Sequence, residues 1–184
     1  MKFVYILLTR TNTVLSRTIG FSTGDPFTHV SLALDAELTQ LYSFGRRYAH
    51  NPFFAGFVRE SLTRGVFSWD SGIPCAVYSL AVDDRVYAAI ERRLRRMYEL
   101  RRRYRYNTLG LLYNYFGRAH SRAYRYFCSE FVADTLQRTG AVQFDRLPAH
   151  MRPNDCTRLP GLRLVYQGGL GSYTPDGENF PAAI

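Results

Sequence analysis

Two residues in this chain have the type and setting for nucleophilic chemistry, and they lie about a hundred positions apart. Cys128 sits in Tyr126-Phe127-Cys128-Ser129-Glu130-Phe131-Val132-Ala133-Asp134-Thr135-Leu136. If a helix begins at Phe127 or Cys128, the thiol falls in its first turn, where unpaired amides and the positive end of the macrodipole favour a thiolate. Phe131, Val132 and Leu136 follow at spacings of three, four and eight, which marks the core-facing side. Glu130 and Asp134 are expected on the opposite side, and Cys128 is expected to point toward a sheet. His29 is the base available on a strand. An imidazole within hydrogen-bond reach of a thiol makes an activated nucleophile, commonly with a third group orienting the ring.

The elements that must position this pair are legible from period and punctuation. Lys2 to Thr9 reads as a buried strand, and Thr13 to Ile19 as a short helix ending near Gly20. Thr28 to Asp35 alternates with period two. Val30, Leu32 and Leu34 point one way, and His29, Ser31, Ala33 and Asp35 the other. The small residues beside His29 leave room for a helix end on that face. Gln40 to Arg46 is the antiparallel partner after a turn at Ala36-Glu37-Leu38. The third member is expected on that partner strand, with Ser43 the first choice and Tyr42 the second; Tyr42 is also a possible oxyanion donor, as is Ser129 beside the nucleophile. Asn51 to Asp70 reads as loop plus an edge strand, and Pro74 to Val82 as an apolar strand. Asp83 to Arg103 is the clearest helix, capped by Asp83 or Asp84, with Val86, Ile90, Leu94, Met97, Leu100 and Tyr104 in one stripe. The Cys128 helix ends at Gly140, and Leu162 to Gln167 is the last strand. Strands first and helices in the middle indicate an α+β fold with an antiparallel sheet.

Length and composition fit one domain. The chain has 184 residues, 46% of them apolar and 15% aromatic, which is a globular composition. A catalytic domain over 1–170 and a Gly- and Pro-rich tail over 171–184 are expected. The three cysteines lack zinc-type spacing and cannot pair without a remainder, so no metal is expected, and a reducing compartment is favoured. The opening MKFVYILL is too short an apolar run for a signal peptide, so a cytoplasmic protein is expected. The net charge of +9 comes almost wholly from arginine, a bias read as base composition. The densest block, Glu91 to Arg105, could offer Arg92, Arg93, Arg95 and Arg96 to an anionic surface, although a solvated helix face is the commoner reading of such a run. Cys75 and Cys156 read as non-catalytic thiols, and His50, His120 and His150 as surface residues.

Taken alone, the two residues leave alternatives open, since a lone cysteine is more often a small buried hydrophobe and a lone strand histidine structural. The flanking motifs add to this. Thr-His-Val-Ser-Leu-Ala-Leu at His29, then Leu-Tyr-Ser-Phe-Gly, then Tyr-Phe-Cys-Ser-Glu-Phe-Val resemble the permuted NlpC/P60 (papain-like) cysteine hydrolases, with the YiiX/YebB-type branch the nearest. The resemblance covers roughly Phe3 to Gly140. Histidine before cysteine is the order that circular permutation of a papain-like chain produces. The resemblance implies a circularly permuted papain-like fold and a hydrolase or acyltransferase, with Cys128 attacking an amide, ester or thioester and no cofactor. Its third position often holds Glu, His, Asn or Gln, where this sequence offers Ser43. The substrate would be a small-molecule, peptide or lipid acyl donor, with no specific nucleic acid. The alternative class is a non-catalytic polyanion- or lipid-binding domain on the same fold.

Overall fold

The structure is a computed structural model that describes residues 1–10, 25–48, 51–70 and 72–175. The helix expected over Thr13 to Ile19, His50 and most of the tail lie outside the described residues. Six strands form an antiparallel sheet: β1 (Lys2–Thr9), β2 (His29–Ala33), β3 (Leu41–Tyr48), β4 (Asn51–Glu60), β5 (Pro74–Val82) and β8 (Leu162–Gly169), in the order β4-β3-β2-β1-β5-β8. A two-stranded parallel clip joins β6 (Arg105–Tyr106) to β7 (Arg125–Tyr126). Three α-helices complete the described regular structure, apart from short 3₁₀ turns: α1 (Asp84–Glu99), α2 (Thr108–Tyr115) and α3 (Cys128–Arg138). The fold is thus mixed α and β on an antiparallel sheet.

Parity along the strands divides the core. Val4, Ile6, Leu8, Val30, Leu32 and Phe44 join Ile90 and Leu94 of α1 and Phe131, Val132 and Leu136 of α3. Leu7, Ala33, Leu41, Cys75 and Val77 form a second cluster on the other face, capped by Phe67 and Tyr166. Aromatic rings fill the helix side under β3 and β4. Phe44 lies 5.5 Å from Phe57, 5.3 Å from Tyr126 and 5.5 Å from Phe131, centroid to centroid. Rings at these tilted distances add roughly 0.5–1.5 kcal/mol per pair beyond burial.

Three local expectations change. The Asp83-capped helix does start as expected, with Asp83 Oδ1 accepting from Val86 N at 2.7 Å. It stops at Glu99, because the chain then tightens into turns that bring Arg105 to β7. The helix α2 was not foreseen, because its period of large apolar residues faces away from the protein. Most consequential, Glu130 and Asp134 are not on a solvent side: Glu130 is 1% and Asp134 9% exposed. The segment from α1 to β7 covers the side of α3 that periodicity assigned to water. Both acids are satisfied there. Arg93 Nη2 and Arg138 Nε, the latter at 2.7 Å, pair with Asp134. Arg93 is thereby committed within the protein, whereas Arg92, Arg95 and Arg96 stay exposed.

Candidate active site

Cys128 is the first residue of α3 and only 4% exposed. The helix geometry leaves its first amides without intrahelical acceptors. The turn before it is held by Glu130, whose Oε2 accepts from Phe127 N and from Asn107 Nδ2, both at 3.4 Å, while Ser121 Oγ donates to Oε1. Burial raises the pKa of the Glu130 carboxyl, against the pull of these three donors.

His29 opens β2. That strand pairs with β1 from Ala33 through His29, but with β3 only at Leu32↔Tyr42 and Ala33↔Leu41. Toward His29 the ladder to β3 has therefore ended. The helix α3 packs on the Val30 and Leu32 face, not on the face bearing Ser31 and Ala33 where the small residues had suggested room. The imidazole nevertheless interacts with the Cys128 side chain, which is among the groups that raise its pKa, at the end of β2 where pairing to β3 has ceased.

The third group is Glu60, the last residue of β4. His29 Nε2 lies 3.0 Å from Glu60 Oε1, and both side chains are 15% exposed. Ser31 Oγ donates to Glu60 Oε2 and lies 3.3 Å from His29 Nε2. The carboxylate thus holds the place for which the sequence nominated Ser43. Ser43 is fully buried on the same face; it makes no hydrogen bond of ordinary length, but its hydroxyl faces Glu60 closely enough to help keep the carboxyl ionised. A Cβ on Gly45 would sit 3.5 Å from Glu60 Oε1 and 3.6 Å from Ser43 Oγ, in ordinary contact with both, so Gly45 lies against this pair. Asn51 to Asp70 carried the signal, an acid at the end of an apolar strand, but only the register Leu41↔Glu60 turns it toward His29.

Burial alone would lower the His29 pKa. The Glu60 charge, the hydrogen bond to Glu60 and the interaction with Cys128 outweigh it and raise the value from 6.5 to about 10. The ring is therefore an imidazolium at neutral pH. Burial raises Glu60, but the imidazolium, the hydrogen bonds from His29 and Ser31 and the nearby Ser43 hydroxyl prevail and lower it. The other thiols lack a base. Burial pushes Cys75 up to about 12 and raises Cys156 too, where the charges of Cys128 and Asp155 add to burial.

The two expected auxiliary donors are used elsewhere. Ser129 Oγ donates to the Met151 carbonyl at 2.7 Å. Tyr42 turns into the aromatic core, stacked on Phe57 at 5.9 Å and edge-on to Tyr98 at 6.3 Å. Tyr106, passed over in the sequence, interacts electrostatically with the nucleophile. Burial and then the negative charges of Cys128 and Glu130 raise its phenol well above the ordinary tyrosine value, so the O–H persists beside the thiol. A cleft of about 580 Å³ borders Glu60 and is lined by Arg46, Arg47, Arg59 and Arg64. Among the described residues no cluster of three or more His, Cys, Asp or Glu is placed to hold a metal. No described helix is long and apolar enough to cross a membrane. Comparison with protein-family profiles, curated proteins and solved structures returned no match for the chain.

Proposed function

We propose that the protein is a cysteine-dependent hydrolase or acyltransferase, of permuted papain-like architecture, acting on an amide or ester through a Cys128 thioester. One observation carries this reading: His29 Nε2 lies 3.0 Å from Glu60 Oε1, and both Glu60 and Cys128 raise the imidazole. A structural histidine needs no such coupling to a thiol, and neither Cys75 nor Cys156 has a base coupled to it. The antiparallel sheet, with base and acid on strands and the thiol at the start of a following helix, supports the architecture.

In this scheme the Cys128 thiolate attacks the acyl carbonyl and the C–S bond forms. The backbone amide of Cys128 and the Tyr106 hydroxyl donate to the oxyanion. His29 gives its proton to the leaving amine or alkoxide as the acyl bond breaks. Water, an amine or an alcohol then yields a proton to His29 and attacks the thioester, which returns the thiolate and the imidazolium. Glu60 keeps the ring oriented throughout and stabilises its charged form whenever it holds the second proton.

The test is incubation with p-nitrophenyl esters of increasing chain length, read by nitrophenolate burst and intact mass. The expected result is a hydroxylamine-sensitive acyl adduct on the wild type, absent in Cys128→Ala and strongly slowed in His29→Ala. Equal adduct on Cys128→Ala would remove Cys128 from the role.

A further inference from the structure

The helix α2 is inside out. Its inward positions are small or polar: Asn107, its N-cap, is 1% exposed and Asn114 5%, and Gly110 is buried between them. They are fixed by hydrogen bonds, with Gly110 N donating to Asn107 Oδ1 at 3.0 Å, Asn107 Nδ2 to the His120 carbonyl at 2.8 Å, and Asn114 Nδ2 to the Ala149 carbonyl at 2.6 Å. A Cβ on Gly110 would lie 2.1 Å from Asn107 Nδ2 and 2.7 Å from the His120 oxygen, so the helix cannot turn a bulkier side chain inward there. Its large apolar side chains face water instead: Leu109 is 49% exposed, Leu112 54%, Tyr113 42% and Phe116 72%. They recur at three, four and seven residues and so make one stripe. Nearby Tyr124 and Leu147 are exposed as well.

Charge tells what would cover this stripe. From Arg101 to Phe127 the chain holds seven arginines and no aspartate or glutamate, and all seven arginines are exposed. Exposed aliphatic and aromatic side chains on a segment whose only charged side chains are exposed cations match the boundary of an anionic bilayer, where the rings and leucines enter the acyl region and guanidinium groups meet phosphates. A second copy is disfavoured, because a twofold contact would bring two like-charged segments together. Nucleic acid would use the arginines and tyrosines but would leave Leu109 and Leu112 in water.

We propose that the α2 stripe, with the exposed arginines that flank it in the chain, is a docking surface for an anionic lipid bilayer. The placement has a consequence for the site. Arg105 N donates to the Tyr124 carbonyl and Asn107 N to the Tyr126 carbonyl, both at 2.9 Å, so the two ends of the excursion are clipped together just before Cys128. A docked bilayer would lie beside the nucleophile helix. Docking itself does not depend on the catalytic reading.

The test is co-sedimentation of the full chain with vesicles of phosphatidylcholine containing phosphatidylglycerol, and with phosphatidylcholine alone. The wild type and Cys128→Ala should bind the anionic vesicles alike, and the neutral ones weakly. Leu112→Ser with Phe116→Ser should weaken binding by roughly tenfold or more, the order expected when two large apolar side chains no longer enter the acyl region. Arg118→Gln with Arg122→Gln should weaken it and flatten its salt dependence. Phe116→Trp, a conservative variant, should add a blue-shifted emission component on vesicle addition. No binding, unchanged binding in the Leu112 and Phe116 variant, or an equal loss in the charge-matched Arg92→Gln, Arg95→Gln control would overturn the proposal.

Discussion

Replacing Glu60 by glutamine keeps the side-chain size and removes the charge on which the site turns. In the folded protein Glu60 stands 3.0 Å from His29 Nε2 and is the largest of the influences that raise the imidazole, with burial opposing it. Two unit charges about 4 Å apart at an effective dielectric near 20 attract by roughly 4 kcal/mol, or about 3 pH units. Without that attraction, His29 should fall from about 10 toward or below its ordinary 6.5. It would then have lost half or more of its charge at neutral pH. The assay is titration of the imidazole carbon-bound protons by NMR, with His29→Gln assigning the resonance among the four histidines. Ser43→Ala should move the same resonance far less, because Ser43 acts on the ring only through Glu60. An unchanged His29 titration in Glu60→Gln, or a larger fall in Ser43→Ala, would refute the argument.

Protein stability should follow the same groups. The folded His29 value lies above the unfolded one, so its contribution is complete below about 6.5 and is lost as pH rises toward about 10; urea midpoints should fall across that window and flatten in His29→Gln. Glu60 is lowered, so its contribution is present above the ordinary carboxylate range and is lost on acidification. Glu130→Ala should cost about 2–4 kcal/mol in denaturant unfolding, since it strands the Phe127 amide and the Asn107 and Ser121 donors in a buried turn. Ser129→Ala should cost about 1 kcal/mol by removing the shorter of the two hydrogen bonds to the Met151 carbonyl, which keeps only Asn114 Nδ2 at 3.4 Å, with the acylation rate per folded molecule unchanged. Phe44→Ala should cost about 3–5 kcal/mol through the cavity it opens among Phe57, Tyr126 and Phe131.

Period and punctuation were enough to place β1, β2, β5 and the start of α1, because their apolar residues repeat toward a core and Asp83 marks an N-cap. They also placed Cys128 in a first helical turn and His29 on a strand. What they could not supply was register. Glu60 joins the pair only because β4 runs beside β3 with Glu60 opposite Leu41, a long-range pairing that no local spacing encodes. Helix periodicity likewise separated Glu130 and Asp134 from the core, since it cannot know that α1 and the arm through β7 return to cover that side. The helix α2 escaped notice for a related reason. Its apolar face points outward, so reading large residues as core inverts its orientation.

The central claim is that Cys128 alone among the three thiols is activated, through His29 and Glu60. Its most direct measurement is the rate of iodoacetamide alkylation at each cysteine of the native protein at neutral pH, read by peptide mass. Cys128 should react much faster than Cys75 and Cys156, and its rate should collapse in both His29→Gln and Glu60→Gln. Comparable rates at the three cysteines, or a Cys128 rate indifferent to His29 and Glu60, would contradict the account.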